Sequence, residues 1–110
     1  MSEDKLLALL KENPEKGMQE MLGLYGGAIA TICRNFLYDF PERDVEEVIA
    51  DTFIHFWKIK DTFVIKEKYS LKSYLYAIAR NAARDKRRAA KKADIYSLEE
   101  LSLDLPDGYD

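Results

Sequence analysis

Apolar residues recur every three or four positions through most of the chain, and no stretch shows the apolar–polar alternation of a strand. This spacing predicts helices at about residues 3–12, 17–38 and 70–92. Another helix is predicted from Asp44 to the start of a loop at 61–69, where the period is lost. We therefore predict an all-α fold, a compact bundle of about four helices.

The second predicted helix contains three glycines, Gly23, Gly26 and Gly27. Each weakens a helix by about 1 kcal/mol relative to Ala. We interpret them as positions where a neighbouring helix packs closely.

The third predicted helix has the clearest pattern. Asp44 as N-cap and Glu47 three residues later resemble a capping box. An unbroken apolar stripe follows, formed by Val45, Val48, Ile49, Thr52, Phe53, Phe56 and Trp57. The opposite face mixes acidic, apolar and basic residues: Glu46, Glu47, Ala50, Asp51, Ile54, His55 and Lys58. Such a face is either solvated or a docking surface for a basic helical partner.

The fourth predicted helix begins after Ser70, its expected N-cap, and carries two stripes. The stripe predicted to be buried is Leu71, Tyr74, Leu75, Ile78 and Ala82. The other repeats every four residues and is mostly cationic: Lys72, Tyr76, Arg80, Arg84 and Arg88. Arg87 lies beside it. Four-residue spacing brings such side chains to one face of a helix.

The distribution of charge changes what the composition implies. The formal net charge of −3 by itself argues against a nucleic-acid partner. However, residues 71–92 carry eight basic side chains against one acidic, whereas residues 1–60 and 93–110 are net acidic, at −4 and −6. This segregation indicates two partners of different charge.

The cationic stripe is best explained by a nucleic-acid backbone. Like charges four residues apart destabilise an isolated helix, so their accumulation indicates a use. Arg80 and Asn81 are also the residue types that bind guanine and adenine edges. A membrane surface and a merely solvated face remain alternatives. The membrane is disfavoured because the other face is filled by the core stripe and offers no spare Trp or Phe anchor.

The sequence contains no pattern typical of an enzyme or a metal site. Cys33 is the only cysteine and His55 the only histidine, and there is no glycine-rich phosphate loop. We expect no enzymatic activity, no metal and no cofactor, with Cys33 as a small core residue. The N-terminus is acidic and no apolar run reaches 18 residues, so we expect a cytoplasmic protein without a membrane segment.

Two segments resemble a known family. Residues 44–57, DVEEVIADTFIHFW, resemble the polymerase-binding segment of region 2 in extracytoplasmic-function sigma factors of bacteria. Residues 70–88, SLKSYLYAIARNAARDKRR, resemble the promoter-recognition helix of the same region. The two segments occur in the family's order, and the resemblance covers about residues 5–90.

The resemblance implies a transcription-initiation domain that binds core RNA polymerase and recognises and melts the −10 promoter element. The third helix would dock on the clamp helices of the largest polymerase subunit through Glu47, Asp51, Ile54, His55 and Lys58. The loop, with Lys66, Lys68 and Tyr69 beside Ser70, would capture a flipped promoter base. The fourth helix would contact promoter DNA through Lys72, Tyr76, Arg80, Asn81, Arg84, Arg87 and Arg88.

The sequence departs from the family pattern at three places. Tyr74 replaces the usual Trp, and Ala50 stands where Gln is common. No helix-turn-helix follows residue 92, so we expect residues 1–92 to form region 2 and 93–110 an acidic linker or tail. Region 4, the domain that reads the −35 element, is expected to be absent. The chain is then either a truncated fragment or a divergent protein, and truncation is favoured because the acidic tail resembles the linker into that domain.

Two other hypotheses fit the same residues. One is a sigma-like module that mainly binds a protein, such as an anti-sigma factor or a second copy, and touches DNA weakly. The other is a stand-alone repressor, which is disfavoured because the loop lacks the turn chemistry of a helix-turn-helix.

Overall fold

The computed structural model describes residues 1–63 and 70–103, and for residues 96–103 the backbone alone. It contains four helices and, within those ranges, no strand, which confirms the predicted all-α bundle. The helices are α1 (Glu3–Glu12), α2 (Pro14–Phe36), α3 (Glu42–Ile59) and α4 (Leu71–Leu103). None of the helices in the described part is long and apolar enough to cross a membrane.

Local capping sets the ends of α1 and α2. The Ser2 hydroxyl accepts a hydrogen bond from the Lys5 amide at 3.3 Å, and α1 has the predicted bounds. The Asn13 side chain caps α2 in the same way, and Pro14 occupies its first turn, where its missing N–H costs nothing. α2 therefore begins three residues before the predicted start at Gly17 and ends two residues before the predicted end.

The predicted capping of α3 is wrong. α3 begins at Glu42 and its N-cap is Pro41, which makes no side-chain capping bond. The backbone of Pro41 is extended, and its carbonyl accepts the amide of Asp44 at 3.0 Å. Asp44 thus lies in the first turn, where its carboxylate faces the positive end of the helix dipole.

The core lies where α2, α3 and α4 meet, and α1 packs on α2. The largest fully buried side chain is Phe56. The predicted stripes of α3 and α4 face this core with two exceptions. Trp57, in the last turn of α3, is 40% exposed, and α4 buries Ala79 and Ala83 more deeply than Tyr74 and Ala82.

The predicted role of the α2 glycines is also wrong. A Cβ built on Gly23, Gly26 or Gly27 would meet nothing within 4 Å, so within the described residues no helix packs against them. The close approach occurs at Gly17. A Cβ there would lie 2.8 Å from the Cα, Cγ and Cδ2 atoms of Leu10 on α1.

α4 extends farther than predicted, to Leu103 instead of about Lys92. Residues 90–103 contain no Gly or Pro and include several strong helix formers, so nothing in that stretch stops the helix. A helix of 33 residues is about 50 Å long. It accounts for much of the 68 Å long axis of the molecule. Residues 91–95 are exposed, so the predicted tail begins as a helix that leaves the bundle.

Candidate protein-docking and nucleic-acid interfaces

The outer face of α3 carries a shallow groove of about 300 Å³. Its lining includes four of the five side chains predicted to bind polymerase, and Ile59 completes it: Asp51, Ile54, His55, Lys58 and Ile59. Ile54 is 50% exposed, although it is a large apolar residue. The groove therefore offers an apolar contact between an acidic and a basic side chain, a mixture suited to a protein partner.

Two further grooves adjoin this one. The first, of about 400 Å³, lies between α2 and α3 and is lined by Glu15, Met18, Gln19, Phe53, Ile54 and Trp57. The second, of about 310 Å³, lies between α3 and α4 and is lined by Asp51, His55, Tyr74, Ala77, Ile78, Asn81, Ala82 and Asp85. Ile54 is shared with the first, and Asp51 and His55 with the second. The three grooves thus form one continuous surface, which we call the α3 face.

Glu47, the fifth predicted docking residue, lies outside these grooves. It is exposed, and its carboxylate lies 3.4 Å from Nζ of Lys86 on α4. The same Nζ lies 3.7 Å from the Asp44 carboxylate. Glu47 therefore has a cation of the same chain beside it, whereas Asp51 forms no ion pair with any described residue.

The cationic stripe of α4 runs beside a buried stripe with the same spacing. Leu71, Leu75, Ala79 and Ala83 are all fully buried and are separated by four residues. Each of Lys72, Tyr76, Arg80 and Arg84 follows a member of the buried stripe by one residue. It is therefore rotated from its buried neighbour by about 100° at every level of the helix. The two stripes therefore run side by side along α4, and the cationic stripe borders the core.

The structure exposes four cations of this stripe: Lys72, Arg80, Arg84 and Arg88. Tyr76 is different, because it is partly buried against the core and lies 5.8 Å from Nζ of Lys72, ring centre to nitrogen. The Arg84 guanidinium lies 5.6 Å from the ring centre of Phe36, and Arg88 lies 3.9 Å from Asp85. Asn81 is exposed and lines the groove shared with Asp51.

Arg87 points to the corner between α2 and α3, which residues 37–41 form. Its Nε and Nη2 atoms donate to the Phe36 carbonyl at 3.2 and 2.8 Å. Nη1 donates to the Asp39 carboxylate at 3.3 Å, and Nη2 makes a second, shorter bond to the same group. These bonds lower the pKa of the Asp39 carboxyl and raise the pKa of Arg87. This residue was predicted to bind DNA, yet the structure gives its guanidinium two partners within the chain.

The start of α4 is held from two sides. The Ser70 hydroxyl accepts the Ser73 amide at 3.0 Å, the predicted cap. The Glu3 carboxylate of α1 accepts the Leu71 amide at 2.5 Å. Near the start of the predicted loop, the Phe63 ring contacts two aromatic rings, with centres 5.6 Å from Phe56 and 4.9 Å from Tyr74. The predicted loop contacts Lys66, Lys68 and Tyr69 lie outside the described residues.

The single thiol is part of the core. Cys33 is fully buried, and burial raises the pKa of its thiol to about 11. It therefore stays protonated at neutral pH and lacks the thiolate that a nucleophile needs.

Sequence analysis missed two features of these surfaces. Trp57 was placed in the core because it continues the apolar period of α3, and only its position in the last turn hinted at exposure. Arg87 was grouped with the cations, although it follows Ala83 by four residues and so continues the buried stripe.

The family model of Sigma-70 region 2 matches residues 21–93 of the chain. This range includes most of α2, all of α3 and the part of α4 that carries the cationic stripe. Comparison with curated proteins and with solved structures gave no match.

Proposed function

The chain belongs to the Sigma-70 region 2 family, and on this premise we propose that it is the region 2 domain of an extracytoplasmic-function sigma factor. The family has a role in binding RNA polymerase and in recognising the −10 promoter element. The finer proposal assigns these two activities to separate surfaces. The α3 face binds core polymerase, and the cationic stripe of α4 binds promoter DNA.

The α3 face supports the polymerase assignment through its chemistry. Asp51, Ile54 and His55 are exposed side by side on one groove, with Lys58 at its end. An exposed Ile and an exposed Trp bordered by charges are typical of a protein-docking surface rather than of a solvated helix. The partner we propose is the clamp-helix region of the largest core subunit, with Asp51 meeting a basic side chain.

The exposed cations of α4 support the DNA assignment. From Lys72 to Lys92 the helix rises about 30 Å, and duplex DNA carries a charge every ~1.7 Å of its axis. Lys72, Arg80, Arg84 and Arg88 are proposed as DNA contacts, and Asn81, at the border with the α3 face, is proposed to contact a base edge. Ser70 and the loop before it are proposed to hold a flipped base of the opened strand, beside Tyr69.

The single observation that carries the proposal is the pair of surfaces on adjacent helices. One is a mixed acidic and apolar groove, and the other is an exposed cationic stripe, within one matched family domain. An anti-sigma protein is a proposed competitor for the α3 face, since a regulator that covers Ile54 and Trp57 would exclude polymerase. The chemistry of RNA synthesis belongs to the polymerase, and we propose no enzymatic role for this chain.

Binding to core RNA polymerase tests the polymerase assignment. Wild-type protein is expected to bind with submicromolar affinity, and Asp51→Arg is expected to abolish this binding because it reverses a charge in the centre of the face. Glu12→Arg is the matched control, since Glu12 is exposed on α1 and lines none of the three grooves. Equal binding by Asp51→Arg and wild type would contradict the placement of the docking face. No binding by a folded wild-type chain would contradict polymerase binding itself.

A second variant tests the DNA assignment. Arg84→Glu with Arg88→Glu is expected to weaken binding to promoter DNA while polymerase binding stays unchanged. Unchanged promoter use by this double variant would favour a sigma-like module that acts through proteins alone.

A further inference from the structure

Two consecutive basic residues of α4 contact the corner between α2 and α3, residues 37–41, and the start of α3 that follows it. Arg87 donates hydrogen bonds to Phe36, the last residue of α2, and to Asp39 within the corner. Its guanidinium also lies 5.1 Å from the ring centre of Phe40 and 5.6 Å from that of Tyr38. Lys86, the preceding residue, pairs with Asp44 and Glu47 at the start of α3. α4 therefore contacts both helices that the corner joins.

The chemistry of each contact fits an anchoring role. The last carbonyls of a helix lack partners within the helix and carry the negative end of its dipole. The Phe36 carbonyl is one of these groups, and a guanidinium is the side chain best suited to bind it together with a nearby carboxylate. Arg87 is the only side chain that contacts the Phe36 carbonyl among the hydrogen bonds of the described residues.

The position of Arg87 on α4 agrees with this role. It continues the buried series Leu71, Leu75, Ala79 and Ala83 at the same four-residue spacing. The side chain of Arg87 is partly buried, whereas those of Arg84 and Arg88 are exposed. Nε, Nη1 and Nη2 all donate within the chain, which leaves few donors for a phosphate.

We infer that Arg87 is a positioning residue that fixes the α2–α3 corner to α4 through Phe36 and Asp39, and that it does not bind promoter phosphates. In this role it holds the α3 face and the cationic stripe in one relative arrangement. The statement about the two faces rests on the proposed function, whereas the anchoring of the corner does not. The inference removes Arg87 from the DNA contacts expected from sequence.

Unfolding of the whole chain tests the anchor without DNA or polymerase. Arg87→Ala and Asp39→Ala are each expected to lower the unfolding midpoint, and the double variant is expected to unfold no earlier than the worse single variant. Strictly additive losses would overturn the inference, as would an unchanged midpoint in Arg87→Ala. Arg88→Ala, the matched control, is expected to keep the wild-type midpoint because its charge is exposed.

A conservative variant separates the guanidinium from its charge. Arg87→Lys keeps the cation but cannot chelate the Phe36 carbonyl with two donors. Its midpoint is expected between those of wild type and Arg87→Ala. Amide hydrogen exchange at residues 37–45 is expected to accelerate in the same order. Full recovery of both quantities with Lys would overturn the proposed contact to Phe36.

The salt dependence of DNA binding tests the second half of the inference. Each phosphate contact contributes about 0.9 to the slope of log affinity against log salt for duplex DNA. Arg87→Ala is expected to leave this slope unchanged, whereas Arg88→Ala is expected to lower it by about 0.9. A less steep salt dependence in Arg87→Ala would overturn the inference. Tighter DNA binding with a steeper salt dependence in Asp39→Ala would also overturn it. If the wild-type chain binds no DNA, the DNA assignment of α4 fails, and the unfolding and exchange measurements still decide whether Arg87 anchors the corner.

Discussion

Replacing Gly17 with Ala tests how closely α1 packs on α2, because the added methyl group has no room. Its Cβ would lie 2.8 Å from the backbone Cα of Leu10, where ordinary contact is about 3.5–4.0 Å. Either α1 must shift or Leu10 must leave its fully buried position. Overpacking of this kind costs about 1–3 kcal/mol. Replacing a helical glycine by Ala stabilises the helix by about 1 kcal/mol. We therefore expect a net loss of stability of up to about 2 kcal/mol.

Gly23→Ala is the matched control, since a Cβ at Gly23 meets nothing within 4 Å. It is expected to stabilise the chain by about 0.5–1 kcal/mol, so the difference between the two variants isolates the clash. Urea and thermal unfolding, followed by far-UV circular dichroism, measure the stability of both variants. A change of 1 kcal/mol in the free energy of unfolding shifts the Tm of a domain of this size by roughly 4–8 °C. Equal stabilisation by both variants would refute the close approach of α1 and α2.

Three further predictions concern the cationic stripe, the aromatic contacts of Phe63 and the corner between α2 and α3. Arg84→Ala is expected to lower the salt slope of duplex binding by about 0.9, measured by fluorescence anisotropy over a salt series. Phe63→Ala is expected to destabilise the chain by about 2–4 kcal/mol, less than a fully buried Phe would cost, because it loses two aromatic neighbours. We expect the same variant to weaken binding to single-stranded −10 DNA, and retention of both stability and binding would exclude a role for the Phe63 contacts in either. Asp39 contributes stability above the ordinary Asp pKa of about 3.9 and loses it as pH falls through its lowered folded pKa. Asp39→Asn is therefore expected to unfold earlier than wild type at neutral pH and to approach it at the acid end of a pH series.

Local sequence signals were sufficient for most of the fold. α1 was predicted with its observed bounds because its apolar period stops before Pro14, and the structure adds Ser2 as the cap at its start. The start of α2 was predictable from Asn13 and Pro14, a cap followed by a first-turn proline, but the apolar period drew attention to Gly17. α4 was ended too early because its charge pattern changes near Lys92 while its helix propensity does not.

The docking groove was predictable for the same local reason. Asp51, Ile54, His55 and Lys58 are three or four residues apart, so helical geometry alone brings them together. The partners of Arg87 were not predictable in this way, because they lie 48 and 51 residues away in sequence. Only the tertiary packing of the corner on α4 distinguishes this arginine from its neighbours.

The paired stripes of α4 make the helix sensitive to the length of its sequence. The buried and cationic residues occupy adjacent positions, so the loss of one residue within α4 would rotate every later side chain by about 100°. Downstream of a deletion at Ala77, Arg84 would take the place of Ala83 in the core, and Arg88 the place of Arg87 at the corner. Insertions and deletions in this helix therefore cannot be absorbed locally. Within α4, a change in chain length is expected to be tolerated only beyond the bundle.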